Sequence, residues 1–253
     1  MKAAELILPI ELFAPLHGQE QWDNSGFSIG DPDRQVHKAL IALDCTEEVL
    51  DEAIEKKCDI IITHHPLIFQ GVKKISPQTF TGRIIEKAIK HDIVIYAAHT
   101  NIDKVADGVS GLMAGKLELG EREFLTPDGF GITGVLPVPL SAAQLARLVK
   151  QKFDVEHIRA SRPLEGEITR VAVCGGSGRS FIKEAMERGA QVYITGDITY
   201  HEFYCQKDFM VMDIGHYGSE YDIVRLFAKI LCENFPTFAV SISEKNNNPI
   251  HYY

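Results

Sequence analysis

Imidazole and carboxylate side chains gather at four places in this chain, each just after a short apolar run. His64 and His65 follow residues 60–63, and His99 and Asp103 follow residues 94–98. Asp197 and His201 follow residues 192–195, and His216 and Glu220 follow residues 210–214. Imidazole and carboxylate together are the ligand set for divalent zinc, iron, manganese or nickel. Adjacent histidines on an extended backbone point to opposite sides, so His64 and His65 are expected to serve two neighbouring ions unless the chain bends there. Pro66 fixes the exit of that turn. His216 and Glu220 are four apart and share a face if their segment is helical. A glutamate has two oxygens and can bridge a pair of ions. A dinuclear centre is therefore expected, with ions about 3.5–4 Å apart and a metal-bound water as the attacking group. His99 and His201 are the candidate proton carriers, since imidazole titrates near neutrality. The sequence offers neither a G-x-S-x-G elbow nor a Cys–His pairing as a rival nucleophile. His17, His37, His91, His157 and His251 sit in loops or polar contexts and are set aside.

Elements that could position such residues are legible in the apolar pattern. Residues 38–44 (KALIALD), 58–65 (CDIIITHH) and 92–100 (DIVIYAAHT) read as strands alternating with helices over 46–57 and 81–91. Alternation of this kind marks βαβ units, and ligands in such sheets bind beyond the carboxyl ends of the strands. Thr46 offers an N-cap with Glu47 and Glu48 in the first turn, and Ser141 caps a helix over 141–153. A weaker helix is expected near 107–117. Residues 125–140 (LTPDGFGITGVLPVPL) are rich in Gly and Pro and read as a boundary or crossover. Beyond them come a strand and turn at 169–178, a helix at 180–189, strands at 190–197, 209–216 and 237–243, a short helix at 198–206, and one long amphipathic helix at 219–235. The expected fold is α/β: two interlinked α/β domains, each a sheet flanked by helices, with a metal site in the cleft between them. The halves are taken as 1–127 and 128–253, with interleaving. Gly175-Gly176-Ser177-Gly178 is either a phosphate-cradling loop or a tight βα turn. Residues 22–27, opening with Trp22 and Asp23, form either the lip of a pocket or a structural loop. Asp44, at a strand end, is a weaker rim candidate.

Composition narrows the function classes. The chain has 253 residues, 45% hydrophobic and 24% charged, which fits a globular protein and not a disordered or fibrous one. Its net charge of −9 disfavours nucleic-acid binding over the outer surface. Five scattered cysteines without a CxxC spacing fit a reducing compartment. An N-terminus carrying acidic residues and the lack of a long apolar run point to a cytoplasmic protein without a membrane span.

The segments WDNSGFSIGD, THHPLIF, AAHTNID, TGDITYHEF and GHYGSE, in this order, resemble those of the GTP cyclohydrolase type 2 homologues, also called the NIF-three-like family. The resemblance spans nearly the whole chain, in the short form without the domain that longer relatives carry inserted in the middle. It implies two α/β domains, a dinuclear metal centre and a homohexameric toroid built as a trimer of dimers. It carries the metal ligands over to His64, His65, Asp103, His216 and Glu220, with Glu220 as the bridge. His99 falls beside the metals as ligand or supporting group, and Asp197 and His201 match pocket positions. Trp22 and Asp197 are the candidate substrate contacts. The activity implied is metal-dependent hydrolysis of a nucleotide or related small molecule. The alternative is a non-enzymatic toroid that handles metal or meets protein or nucleic-acid partners.

Overall fold

The computed structural model describes residues 1–252, and these divide into two compact units. The first comprises residues 1–102 and 223–252, the second residues 103–222.

The first unit holds strands β1 (Gly26–Ile29), β2 (Lys38–Ala42), β3 (Ile60–Thr63), β4 (Val94–Ala97) and, far along the chain, β11 (Ala239–Ile242). Among the described residues they form one sheet in the order β1-β4-β3-β2-β11. It is parallel from β4 to β11, with β1 antiparallel at the edge. Helices α2 (Glu47–Glu55) and α3 (Phe80–Lys90) cover one face. Their Val49, Leu50, Ala53, Ile84, Ile85 and Ala88 pack on Leu40, Ala42, Ile61 and Ile95. The alternate residues Ile41, Ile60, Ile62 and Tyr96 are also fully buried. Burial on both faces explains why these strands read as unbroken apolar runs. Helix α1 (Ala3–Phe13) packs with α9 (Ile223–Asn234), and α9 also meets β2 and β11. As expected, Thr46 caps α2, its hydroxyl accepting from the Val49 amide at 3.2 Å.

The second unit holds β5 (Gly120–Phe124), β6 (Ile132–Leu140), β7 (Arg159–Ala160), β8 (Ile168–Val173), β9 (Val192–Thr195) and β10 (Met210–Asp213). The described residues give the order β5-β6-β8-β9-β10-β7, parallel only across β8-β9-β10. Val171, Val173, Val192, Ile194, Met210 and Met212 face one core, shared with α5 (Val109–Lys116) and α6 (Ala142–Phe153). Ala172, Tyr193 and Val211 face the opposite one, shared with α7 (Ile182–Glu187). The period of two along each strand accounts for that division. Ser141 caps α6 in a capping box with Gln144.

The structure departs from the sequence expectation in four places. The chain divides at 102/103 and 222/223, not at 127/128, because β11 returns to pair with β2 and α9 to pack on α1. The Gly/Pro-rich stretch is not a crossover: its second half is β6, paired with β5 and β8. Pro137 and Pro139 are accommodated because the β6–β8 register breaks between Val135 and Leu140, so neither must donate to the ladder. The long helix at 219–235 is two, α8 (His216–Glu220) and α9. Residues 198–206 contain only a 3-10 turn, Tyr200–Phe203. None of the helices among the described residues is long and apolar enough to cross a membrane.

Candidate metal-ligating sites

In the first unit, β3 ends at Thr63, so His64 and His65 are already off the strand. The Thr63 hydroxyl donates to the His65 carbonyl at 2.8 Å, and the His65 amide donates to Leu43 O at 3.0 Å. This bend removes the opposition expected of adjacent residues on an extended chain: the two imidazole centroids lie 5.0 Å apart. β4 ends one residue before Ala98, and His99 follows as the chain turns into α4 (Thr100–Asp103). The Asn101 side chain accepts from the His99 amide at 2.9 Å and holds that turn. His99 thereby comes to 5.2 Å from His64 and 5.6 Å from His65, ring to ring. Each of the three offers a ring nitrogen within 4.8 Å of the others.

What the other ring nitrogens do is more informative. His64 Nδ1 donates to the Ala98 carbonyl at 2.9 Å, His65 Nδ1 to Asp44 at 2.7 Å, and His99 Nδ1 to Asp23 at 2.8 Å. These partners are acceptors, so in each neutral ring the proton sits on Nδ1 and Nε2 carries the lone pair. Metal-ligating histidines are oriented in this way. Asp23 has its side chain wholly buried and also accepts from the Thr100 amide and hydroxyl and the Ser25 hydroxyl. Burial alone would raise its carboxyl, but the bonds from His99 and Thr100 outweigh that and hold it well below the usual carboxylate range.

Asp44 is held in turn by the chain's C-terminal segment. Asn246 is buried, and its side-chain oxygen accepts from the Leu43 and Asp44 amides. Asn246→Ala would strand two backbone donors. Urea denaturation is expected to show a loss of about 1–3 kcal/mol with an unchanged m value.

In the second unit, Gly215 at φ +78° lets the chain leave β10 and start α8 at once, so His216 and Glu220 share one face as their spacing predicts. His216 Nδ1 donates to Asp197 at 2.7 Å and Nε2 lies 3.0 Å from the buried Glu220 carboxylate. Burial would depress the imidazolium, but Asp197 and Glu220 prevail and lift His216 to about 11. Asp197 is correspondingly lowered, chiefly by its bond to His216. A proton joins His216 to Glu220, and a divalent cation is the other species that satisfies an imidazole nitrogen and a carboxylate together. Asp103, at the end of α4, has a carboxylate oxygen within 4.8 Å of one from Glu220.

The Gly175–Gly178 loop is a tight βα turn that braces these residues. The Gly176 amide donates to Ser219 Oγ at 2.9 Å and the Gly178 amide to Thr195 Oγ1 at 3.1 Å, so two of its amides are spent inside the fold. Gly176 has φ +60°, and a Cβ there would lie 2.2 Å from Glu220 Oε1. His201 is exposed in the 3-10 turn, edge-on to Tyr200 at 5.4 Å, and belongs to none of the three-residue ligand clusters among the described residues. Trp22 is exposed beside Phe69 and His99. In the sequence, Asp23 lies in a turn-rich stretch whose role stays open, and Asp44 is only a rim residue at a strand end. The signal for both was an acidic residue in a turn next to a strand, which is common without any such role.

These features define a class, α/β proteins whose strand ends carry donor sets able to hold a divalent metal. The chain belongs to the Duf34/NIF3 (NGG1p interacting factor 3) family, whose model matches residues 1–249. A Clostridium acetobutylicum protein named GTP cyclohydrolase 1 type 2 homolog is 37% identical, over 91% of this chain and 90% of its own length. A Streptococcus pneumoniae protein of the same name is 36% identical over the whole of both chains. A crystal structure of a Bacillus cereus protein related to NIF3 matches with TM-score 0.93 at 27% identity, over 100% of this chain and 99% of that one.

Proposed function

We propose that His64, His65, Asp103, His216 and Glu220, with His99 beside them, hold a pair of divalent metal ions, and that the protein is a hydrolase acting on a nucleotide or related small molecule. The observation that carries this is the shared anchoring of four imidazoles: His64, His65, His99 and His216 each have Nδ1 on a backbone carbonyl or carboxylate. When bound, two such ions polarise the scissile group and make water acidic enough to attack near neutral pH. The chain's own residues supply the rest. Glu220, buried and braced by the glycine turn, would hold the ions through its carboxylate. Asp23 fixes the ring of His99 so that its Nε2 is the atom that takes or gives a proton. His201 reaches solvent and exchanges protons with it. Asp197 orients His216 and lies where a substrate can meet it. The family resemblance supports assembly as a homohexamer, with a sedimentation mass expected near six times 28.2 kDa.

The test begins with metal content. Protein loaded with zinc, manganese, iron or nickel is expected to hold two ions per chain, and folded His65→Ala and Glu220→Ala variants fewer. Unchanged stoichiometry in both variants would overturn the site. Turnover of GTP, followed by fluorescence of the oxidised pterin product, is expected for the loaded protein and not for Glu220→Ala. Full metal occupancy with no turnover of GTP or other phosphorylated and cyclic small molecules would replace hydrolysis with a metal-handling role.

A further inference from the structure

Two large aromatic side chains of the first unit stay in water where the fold gives them no core to join. Trp22 is 57% exposed and Phe69 48% exposed, although Leu67 and Ile68, just before Phe69, pack on the core beneath α2 and α3. The two rings meet at 5.6 Å with a 60° tilt. Each also stands edge-on to His99, at 6.3 Å for Trp22 and 6.0 Å for Phe69. Asn24 Nδ2 donates to the Ile68 carbonyl at 2.7 Å and ties the two loops together, and within the first the Ser25 amide donates to Gln19 Oε1 at 2.8 Å. The intervening Asp23 is the residue that anchors His99 and Thr100. The rings are thus set in place before any ligand arrives, which lowers the ordering cost of binding. Lys73 and Lys74 are exposed in the same loop as Phe69, a local pair of cations in a chain of net charge −9.

We propose that Trp22 and Phe69 form a stacking seat for the planar heteroaromatic ring of a ligand that carries an anionic group, the chemistry of a nucleoside phosphate. An aromatic face accepts any base by stacking, while a lysine pair meets phosphate as point charges. Placement of the ring beside His99 sets the ligand's reactive atoms at the donor set. That the bound ligand is also the substrate rests on the hydrolase reading above, whereas ring binding stands apart from it.

Trp22 is the protein's one tryptophan, so intrinsic tryptophan fluorescence reports this seat alone. Metal-loaded protein, excited at the red edge of the tryptophan band, is titrated with GMP and, separately, with ribose 5-phosphate. GMP is expected to quench saturably and ribose 5-phosphate to leave the emission unchanged. Phe69→Ala is expected to weaken GMP roughly 5- to 100-fold, the range for losing one stacking partner, and Phe69→Tyr to restore it. Trp22→Phe, silent in fluorescence, is expected to retain GMP binding by calorimetry. Equal responses to the two probes, no response to GMP, or an unchanged GMP affinity in Phe69→Ala would each overturn the seat. So would emission that tracks protein concentration and not ligand, which would make the aromatic pair an assembly surface. GMP binding with no turnover of any nucleotide keeps the seat and removes the hydrolase; turnover with a silent Trp22 and an indifferent Phe69→Ala does the reverse.

Discussion

Asp23→Ala is expected to cost about 1–3 kcal/mol of stability in metal-stripped protein, the scale for leaving buried donors without their acceptor. The carboxylate is wholly buried and accepts from the Asn24 and Thr100 amides, the Ser25 and Thr100 hydroxyls and the His99 ring. Alanine leaves those donors facing a cavity. Asp44 provides the contrast, because it anchors His65 in the same way but has a side chain 40% exposed. Asp44→Ala is therefore expected to change stability by no more than about 1 kcal/mol. Its effect should appear in metal affinity, reduced about 10- to 100-fold as for other groups that orient a ligating histidine. Urea denaturation and metal titration of the two variants separate the roles. Equal stability losses would show that burial does not govern the difference.

A comparable loss is expected far from the ligands, at Glu52. This glutamate lies on α2 yet is only 3% exposed. It pairs with Lys56 at 2.6 Å and accepts from the Ser243 hydroxyl and the Glu244 and Lys245 amides, fastening the segment that follows β11. Burial would raise its carboxyl, but the bonds from Lys56, Ser243 and Glu244 outweigh this and lower it below the ordinary value of 4.5. Glu52→Ala is expected to cost about 1–3 kcal/mol, from the hydroxyl and amide donors it leaves without an acceptor, and Glu52→Gln less, since an amide oxygen still accepts. The sign with pH follows from linkage: a depressed pKa means the unfolded chain takes up the proton first. The advantage of Glu52 over Gln is therefore full above the unfolded-state value and lost as pH falls through the folded one. Denaturation at neutral pH and at successive steps below 4.5 should show the difference shrinking. A constant difference would mean the carboxylate's charge is irrelevant.

The buried parallel strands and the ligand histidines were legible because each is a local pattern. Ile60, Ile61 and Ile62 announce a strand, and His64 and His65 follow it directly. β5 was not legible: it is an exposed edge of charged residues, Glu121, Arg122 and Glu123, and carries no apolar alternation. β6 was hidden by its prolines, which its irregular register tolerates. Asp23 and Glu52 were invisible for another reason. Their partners lie 76 and 191 residues away in His99 and Ser243, so only the folded chain shows that these acids are buried. Glu52 in particular sits in an amphipathic helix, where a glutamate ordinarily marks the solvent side.

The return of β11 to β2 also bears on how the chain is made. Residues 103–222 are contiguous, so that unit can close as soon as it leaves the ribosome. The first unit cannot, since the β2 edge stays unpaired until β11 emerges roughly 200 residues later, about 10–40 s at ordinary elongation rates. During translation β2 is thus an open sheet edge of the kind that recruits stray strands. β11 shields that edge once it is made, and a nascent chain stalled before residue 239 should be the aggregation-prone species.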